Sequence, residues 1–377
     1  MSNAWLEGRI SEEEAQKLVG ITGTITGWNT VVSPETVRHF QMGTGDDNPL
    51  YLDVEYATHS AVGRLTAPPC FLYSCCSVES FGPDELGMAG LFPNLQGFWL
   101  GDRWTWDRPL WSGIAESVAA SVEITDVRLR PSRKYGKALV STDVHTFVGA
   151  DGSLIGKRER EVMFVERSEA PVAEPQEAVY SEAEMLEIWE QYDREAGQRR
   201  GDTPRYFEDT LVGEELSPLV KGPLTLTSMI SYAMGNGFDY CITNRIAHRY
   251  LQEHPGVRLF NPETNIEDTY AAHHWEPYFA RRGGLPTNGH DFGSQRIAWM
   301  GHLVTDWCGD EGVLVGLDGQ LRQPNLLGDT TWLTGAVVGK DESNGIVTCE
   351  LTARNQRDQV TTTGLAKVRL PSRLSAA

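Results

Sequence analysis

The chain has 377 residues, a formal net charge of −19, 40% hydrophobic residues and 23% charged residues. That composition suits about two globular domains and excludes long disorder. The acid excess argues against nucleic acid and anionic membranes, both of which need a basic face. No run approaches the ~20 apolar residues of a membrane span.

Residues 1–7 run into a polar segment, 11–17, without the basic and apolar regions of a signal peptide, so a cytoplasmic location is expected. Cys70, Cys75, Cys76, Cys241, Cys308 and Cys349 show no CxxC spacing. They are expected to be reduced and mostly buried thiols.

In chain order, Ser33-Pro34 opens a short helix that runs to Met42-Gly43, with Ser as N-cap and Pro at the first helical position. A Gly- and aromatic-rich stretch follows. Arg108-Pro109-Leu110-Trp111-Ser112-Gly113 then leads into alternating segments at 116–127, 138–148 and 158–165. Residues 167–204 have no strand pattern. They carry a capping box at Ser181–Glu184, then Met185, Ile188, Trp189 and Tyr192 at helical spacing, with Gly197 as a stop. This reads as a linker helix that lays one face on a domain.

The second half repeats the first. Thr225 or Thr227 opens a helix ending at Met234-Gly235, and Gln323-Pro324-Asn325-Leu326-Leu327-Gly328 matches the earlier Pro–Gly separation. Segments 330–338, 345–353 and 363–370 then close the half. A helix followed by consecutive antiparallel strands, occurring twice, predicts an α+β duplication in which a curved sheet wraps a helix. The expected division is a first domain at 1–170, a linker at 171–204 and a second domain at 205–377.

The most specific string is Gly43-Thr44-Gly45-Asp46-Asp47-Asn48-Pro49-Leu50-Tyr51-Leu52-Asp53. On residue chemistry alone it is a turn in which Asp and Asn bond their own backbone. It also resembles the Gly-Asp-x-Asn-Pro-x-His motif of MaoC-like (R)-specific enoyl-CoA hydratases, with Tyr51 where that motif has His. The resemblance implies tandem hotdog folds, each a long central helix wrapped by an antiparallel sheet, with the first site degenerate. A phenol of pKa ~10 is a poor proton shuttle at neutral pH.

The second half supplies Asp268, then His273-His274-Trp275-Glu276, and later His290-Asp291-Phe292-Gly293, His302 and Gly309-Asp310. This series is similar to the C-terminal half of two-hotdog MaoC-like acyl dehydratases, with Glu276, His290 and Phe292 as departures. The resemblance implies reversible hydration of a 2-enoyl-CoA by an Asp268/His274 pair, with the Gly293 N–H as oxyanion donor. His273 is the adjacent alternative to His274. The implied carrier is CoA or an acyl-carrier protein, with no metal or redox cofactor, and the expected assembly is a homodimer. A hotdog thioesterase and a non-catalytic thioester-binding subunit are the competing readings.

A His/Glu metal site at 273, 274, 276, 290 and 302 is disfavoured, because adjacent residues on a strand or helix point apart. Asp46 and Tyr51 are expected to shape the acyl pocket. Phe71, Tyr73, Phe81, Phe92, Phe98 and Trp99 suggest its apolar lining, compatible with a steroid or aromatic acyl group, and they read equally well as core. The run from Arg128 to Lys137 is the densest basic cluster, and it is either a solvated hairpin or a phosphate contact through Arg133 and Lys134.

Overall fold

The computed structural model describes residues 12–76, 95–133, 135–166, 174–238, 241–253, 258–282 and 284–376. Phe81, Phe92 and Lys134 lie outside them. The first half contributes strands β1 (Thr22–Ile25), β2 (Val31–Val32), β3 (Leu95–Trp106), β4 (Glu116–Ser132), β5 (Gly136–Gly149) and β6 (Leu154–Glu166). The second contributes β7 (Glu215–Lys221), β8 (Leu259–Asn261), β9 (Ile266–Asp268), β10 (Val313–Leu321), β11 (Thr331–Asp341), β12 (Ile346–Asn355) and β13 (Val360–Arg369).

All but β8 and β9 join one sheet, in the order β1-β4-β5-β6-β3-β10-β13-β12-β11-β7, with β2 also pairing on β4. The pairings are antiparallel, and the two halves meet where β3 pairs with β10. There Gly101 is obligatory, because a Cβ would stand 2.3 Å from the Gly319 carbonyl oxygen. Paired β-strands thus run from one half into the other.

Helix α1 (Pro34–Thr44) starts at the Ser33 cap and ends on left-handed Gly45. Helix α2 (Glu182–Gln198) is the linker helix, with the Ser181–Glu184 capping box formed. Its inward face differs from the expected one. Ile188 and Glu195 are buried, whereas Trp189 is exposed. Helix α3 (Leu226–Asn236) begins at Thr225, not Thr227, and ends on left-handed Gly237.

Helices α1 and α3 cross at their Met-Gly pairs. A Cβ on Gly43 would lie 2.8 Å from the Ser231 carbonyl oxygen, and one on Gly235 would lie 2.3 Å from that of His39. Only backbone can approach that closely. The duplicated Met-Gly is therefore a contact between the halves on their repeated helices.

The wrapped helix of the second half is neither of these. It is α4 (Gly293–Cys308), whose residues 294–308 are all buried. It packs against β7, β10, β11 and β13. Such a helix has no solvent-facing side, so it lacks the one-sided periodicity that marks α1 and α2. In the first half, the residues described before position 77 form a 3-10 turn, Pro69–Phe71, and one α-turn, Leu72–Cys75. All six cysteines are free, and all but Cys241 are buried. Among the described residues, no helix is long and apolar enough to cross a membrane.

Candidate active site

Strand β9 ends at Asp268, and the chain then coils into a 3-10 turn, Tyr270–His274. The turn places both histidine rings on the same side, 4.2 Å apart between centroids. The expectation that neighbouring histidines diverge fails here, because a tight turn is neither strand nor helix. His274 is tied to the next segment twice. Its Nδ1–H donates to the His290 carbonyl (3.2 Å), and its own carbonyl accepts from the His290 N–H (2.8 Å). A carbonyl can only accept, so Nδ1 carries the proton and Nε2 keeps its lone pair.

The ring of His274 stacks on Phe292 at 3.9 Å. Phe292 stacks on Phe238 at 4.7 Å and tilts against Tyr232 at 5.6 Å. This apolar wall explains the electrostatics. Burial holds the His274 imidazole well below its usual pKa, with His273 and His290 adding to the effect, so the ring is neutral at pH 7. Burial does the same to His290.

Phe292 is also the N-cap of α4, and it offers no side-chain cap. The first N–H groups of a 16-residue helix are therefore left without a side-chain partner next to a neutral imidazole. Gly293 begins that helix. A Cβ there would lie 2.5 Å from Leu321 Cδ1 and 3.4 Å from the Trp99 ring. Trp99 sits at a register shift in the β3–β6 pairing and donates its indole N–H to Asp102 Oδ1 at 3.0 Å. Phe71 and Tyr73, by contrast, are fully buried core, and Phe98 stacks on Tyr135.

Asp268 does not complete a pair with His274. Its carboxylate accepts the Thr269 N–H at 2.7 Å, and among the described residues no hydrogen bond or ion pair joins it to His274. What the structure does gather is His273, His274 and His290, whose ligand nitrogens lie within 4.8 Å of one another and could hold a metal ion.

The first-half motif sits elsewhere on α4. Asp46 is buried beside His302, nine residues beyond Gly293 and so about 13 Å along the helix axis. Asp46 Oδ1 accepts the Asn48 N–H at 3.0 Å, as the turn reading requires. Tyr51 is buried with its hydroxyl on Thr305, and burial together with Asp46 pushes its pKa well up, so it stays a neutral phenol. Sequence reasoning missed that His302 reaches the motif of the other half. The available signal was the His302/Asp306 pair at helical spacing within the apolar stretch 297–307.

The basic run forms the β4–β5 hairpin. Arg128 is already held by Asp126 and Glu161. Arg130, Arg133 and Lys137 are exposed.

Residues 19–163 match the family described as FAS1-like, dehydratase domain region. No curated protein matches the chain. Among solved structures, a MaoC-like dehydratase superposes with TM-score 0.66 at 17% identity, covering 94% of this chain and 99% of its own. A putative MaoC domain dehydratase from Chloroflexus aurantiacus gives 0.55 at 15%, covering 94% and 96%. A conserved hypothetical protein of Mycobacterium tuberculosis with a double hotdog fold gives 0.56 at 13%, covering 96% and 99%. The fold is therefore a double hotdog. That fold is the one these MaoC-like structures share, and the match to the FAS1-like dehydratase region is confined to residues 19–163.

Proposed function

We propose that this protein catalyses the reversible hydration of a 2-enoyl thioester to a 3-hydroxyacyl thioester, at the second-half site around His274. The observation that carries the reading is the juxtaposition of a neutral imidazole, its Nδ1–H fixed on a backbone carbonyl, with the uncapped N-terminus of α4. The dehydratase names of the matched family and of the similar structures support it.

The chain's residues divide the work as follows. Nε2 of His274 takes one proton from water while the hydroxide adds to C3 of the enoyl group. The electrons of the double bond move toward the thioester oxygen, where the Gly293 N–H stabilises the developing enolate. The same imidazolium then returns its proton to C2, so atoms and charge balance in one cycle. Dehydration is the reverse. No redox cofactor enters the sequence. The Phe238–Phe292 wall keeps the imidazole neutral between turnovers, as a base near neutral pH must be. Asp46 and Tyr51 take no part in proton transfer, and Trp99 borders the acyl side of the site.

Incubation with crotonyl-CoA and with a bulkier enoyl-CoA tests the proposal. Formation of the 3-hydroxyacyl thioester supports it. Release of free CoA would instead identify a thioesterase, and binding without turnover a non-catalytic thioester-binding subunit.

A further inference from the structure

A second cluster of ligating side chains lies away from the His274 site, at the junction of the two halves. Asp46 comes from the motif after α1, Glu195 from α2, and His302 and Asp306 from consecutive turns of α4. His302 is 3% exposed and Asp46 and Asp306 are each 5% exposed. His302 Nε2 lies 3.5 Å from Asp46 Oδ1, 3.5 Å from Glu195 Oε1 and 3.3 Å from Asp306 Oδ2. Neither ring nitrogen of His302 and neither Asp306 Oδ2 nor Glu195 Oε2 has a hydrogen-bond partner, although all are buried.

That pattern is unlike a closed ion pair. A protonated imidazole would draw one carboxylate to about 2.7–2.9 Å. Here three oxygens stand off at nearly equal, longer distances. The two separations from His302 Nε2, 3.5 Å to Asp46 Oδ1 and 3.3 Å to Asp306 Oδ2, match ligand–ligand edges of a tetrahedral site whose bonds are about 2.0–2.2 Å, the range of zinc–nitrogen and zinc–carboxylate bonds. The ligand atoms of Asp46, His302 and Asp306 all lie within 4.8 Å of one another.

We propose that Asp46, His302 and Asp306 bind one divalent transition-metal ion, Zn²⁺ being the probe of choice, and that this ion clamps the two halves together. His302 and Asp306, one turn apart on α4, present ligands on a single helix face. The remaining contacts fit an outer layer. Arg199 Nε holds Asp306 Oδ1 at 2.8 Å, leaving Oδ2 for the ion. The Asn48 N–H holds Asp46 at 3.0 Å. Lys221 Nζ stands 3.5 Å from Glu195 Oε1, the same oxygen that faces His302, and donates to the Gly45 carbonyl at 2.7 Å. Groups that hold ligands in this way are the usual support of a metal site. A small cavity lined by Thr44, Asp46, Cys70, Gly301, His302 and Thr305 adjoins the cluster and leaves space for a water as the fourth ligand.

The competing occupant is a proton on His302, which would balance three carboxylates against Arg199, Lys221 and the imidazolium. The two are separated by metal titration of the full chain after EDTA dialysis. With His290→Ala as the background, which removes a ligand only from the other histidine cluster, isothermal titration with Zn²⁺ should show one equivalent that is lost when His302→Gln or Asp306→Asn is added. In the same background Zn²⁺ should raise Tm, and it should leave Tm unchanged once His302→Gln is added. If the variant with His302→Gln fails to fold, Co²⁺ added to His290→Ala still decides. Visible bands of a tetrahedral site with one nitrogen and carboxylate ligands are expected. No binding in the His290→Ala background, or an equivalent that survives the addition of His302→Gln, overturns the proposal.

Discussion

The two halves share one hotdog frame and fill it differently. In the second half, a wholly buried 16-residue helix begins without a side-chain cap beside a neutral histidine. In the first half, the residues described before position 77 end in two short turns, and the motif Asp is buried against a histidine from the other half. On the proposed reading, the same hotdog frame serves acid–base chemistry where imidazole lies beside an uncapped helix N-terminus, and cohesion where carboxylates gather round His302. The difference teaches that a motif Asp by itself does not mark a catalytic centre. What lies opposite it does.

Breaking the second-half site should have the largest effect. His274→Ala is expected to lower kcat for hydration by about 10²–10⁴-fold, the usual cost of removing a general acid–base group. Circular dichroism should stay that of the wild type. Gly293→Ala comes next. Its new methyl would press on Leu321 and the Trp99 ring, an overpacking cost of about 1–3 kcal/mol in stability. Thermal melting should show that loss, with a fall in kcat as the first N–H of α4 shifts.

Substitutions that sharpen the contrast should do little. Tyr51→Phe is expected to change kcat by less than tenfold, because the phenol is buried on Thr305 and remains protonated. Asp268→Asn should also stay within about tenfold, since an amide oxygen can still accept the Thr269 N–H. A loss matching that of His274→Ala in either variant would move the chemistry to that residue. Smallest of all is the hairpin. Arg133→Ala should raise KM for a CoA thioester at low salt, leave kcat alone and scarcely affect a pantetheine thioester. Exposed cation–phosphate contacts are screened within about 8–10 Å at moderate ionic strength. Equal change with both substrates would return the hairpin to a solvated surface turn.

Much of this was legible from residues. Both capped helices, the linker capping box and the strands β4–β6 and β11–β13 follow from N-cap chemistry and alternation, which are local signals, whereas β3 and β10, through which the halves pair, were not read as strands. Helix α4 was not legible as a helix, because burial on every side erases the amphipathic stripe, and its motif residues drew attention instead. The hairpin strands extend through the basic run to Ser132, since arginines tolerate an exposed strand edge as readily as a loop. His274 and Gly293 fell within the family pattern. Pairing His274 with Asp268 rested on spacing alone, and the bond from Thr269 shows how a carboxylate at a strand end is claimed by its nearest backbone donor. The approach of His302 to Asp46 is a tertiary contact over 256 positions of sequence, which no local signal reports.

The measurement closest to the central claim is the pH dependence of kcat/KM for hydration, in the wild type and in His274→Ala. Burial holds the His274 pKa well below 6.5, so the imidazole remains a base through that pH and protonates only at lower pH. The account predicts a flat profile from about pH 6.5 upward into the weakly alkaline range, an acid limb lying below pH 6.5, and disappearance of that limb in the residual activity of His274→Ala. An acid limb at or above pH 6.5, or one that persists unchanged in the variant, would show that another group carries the proton.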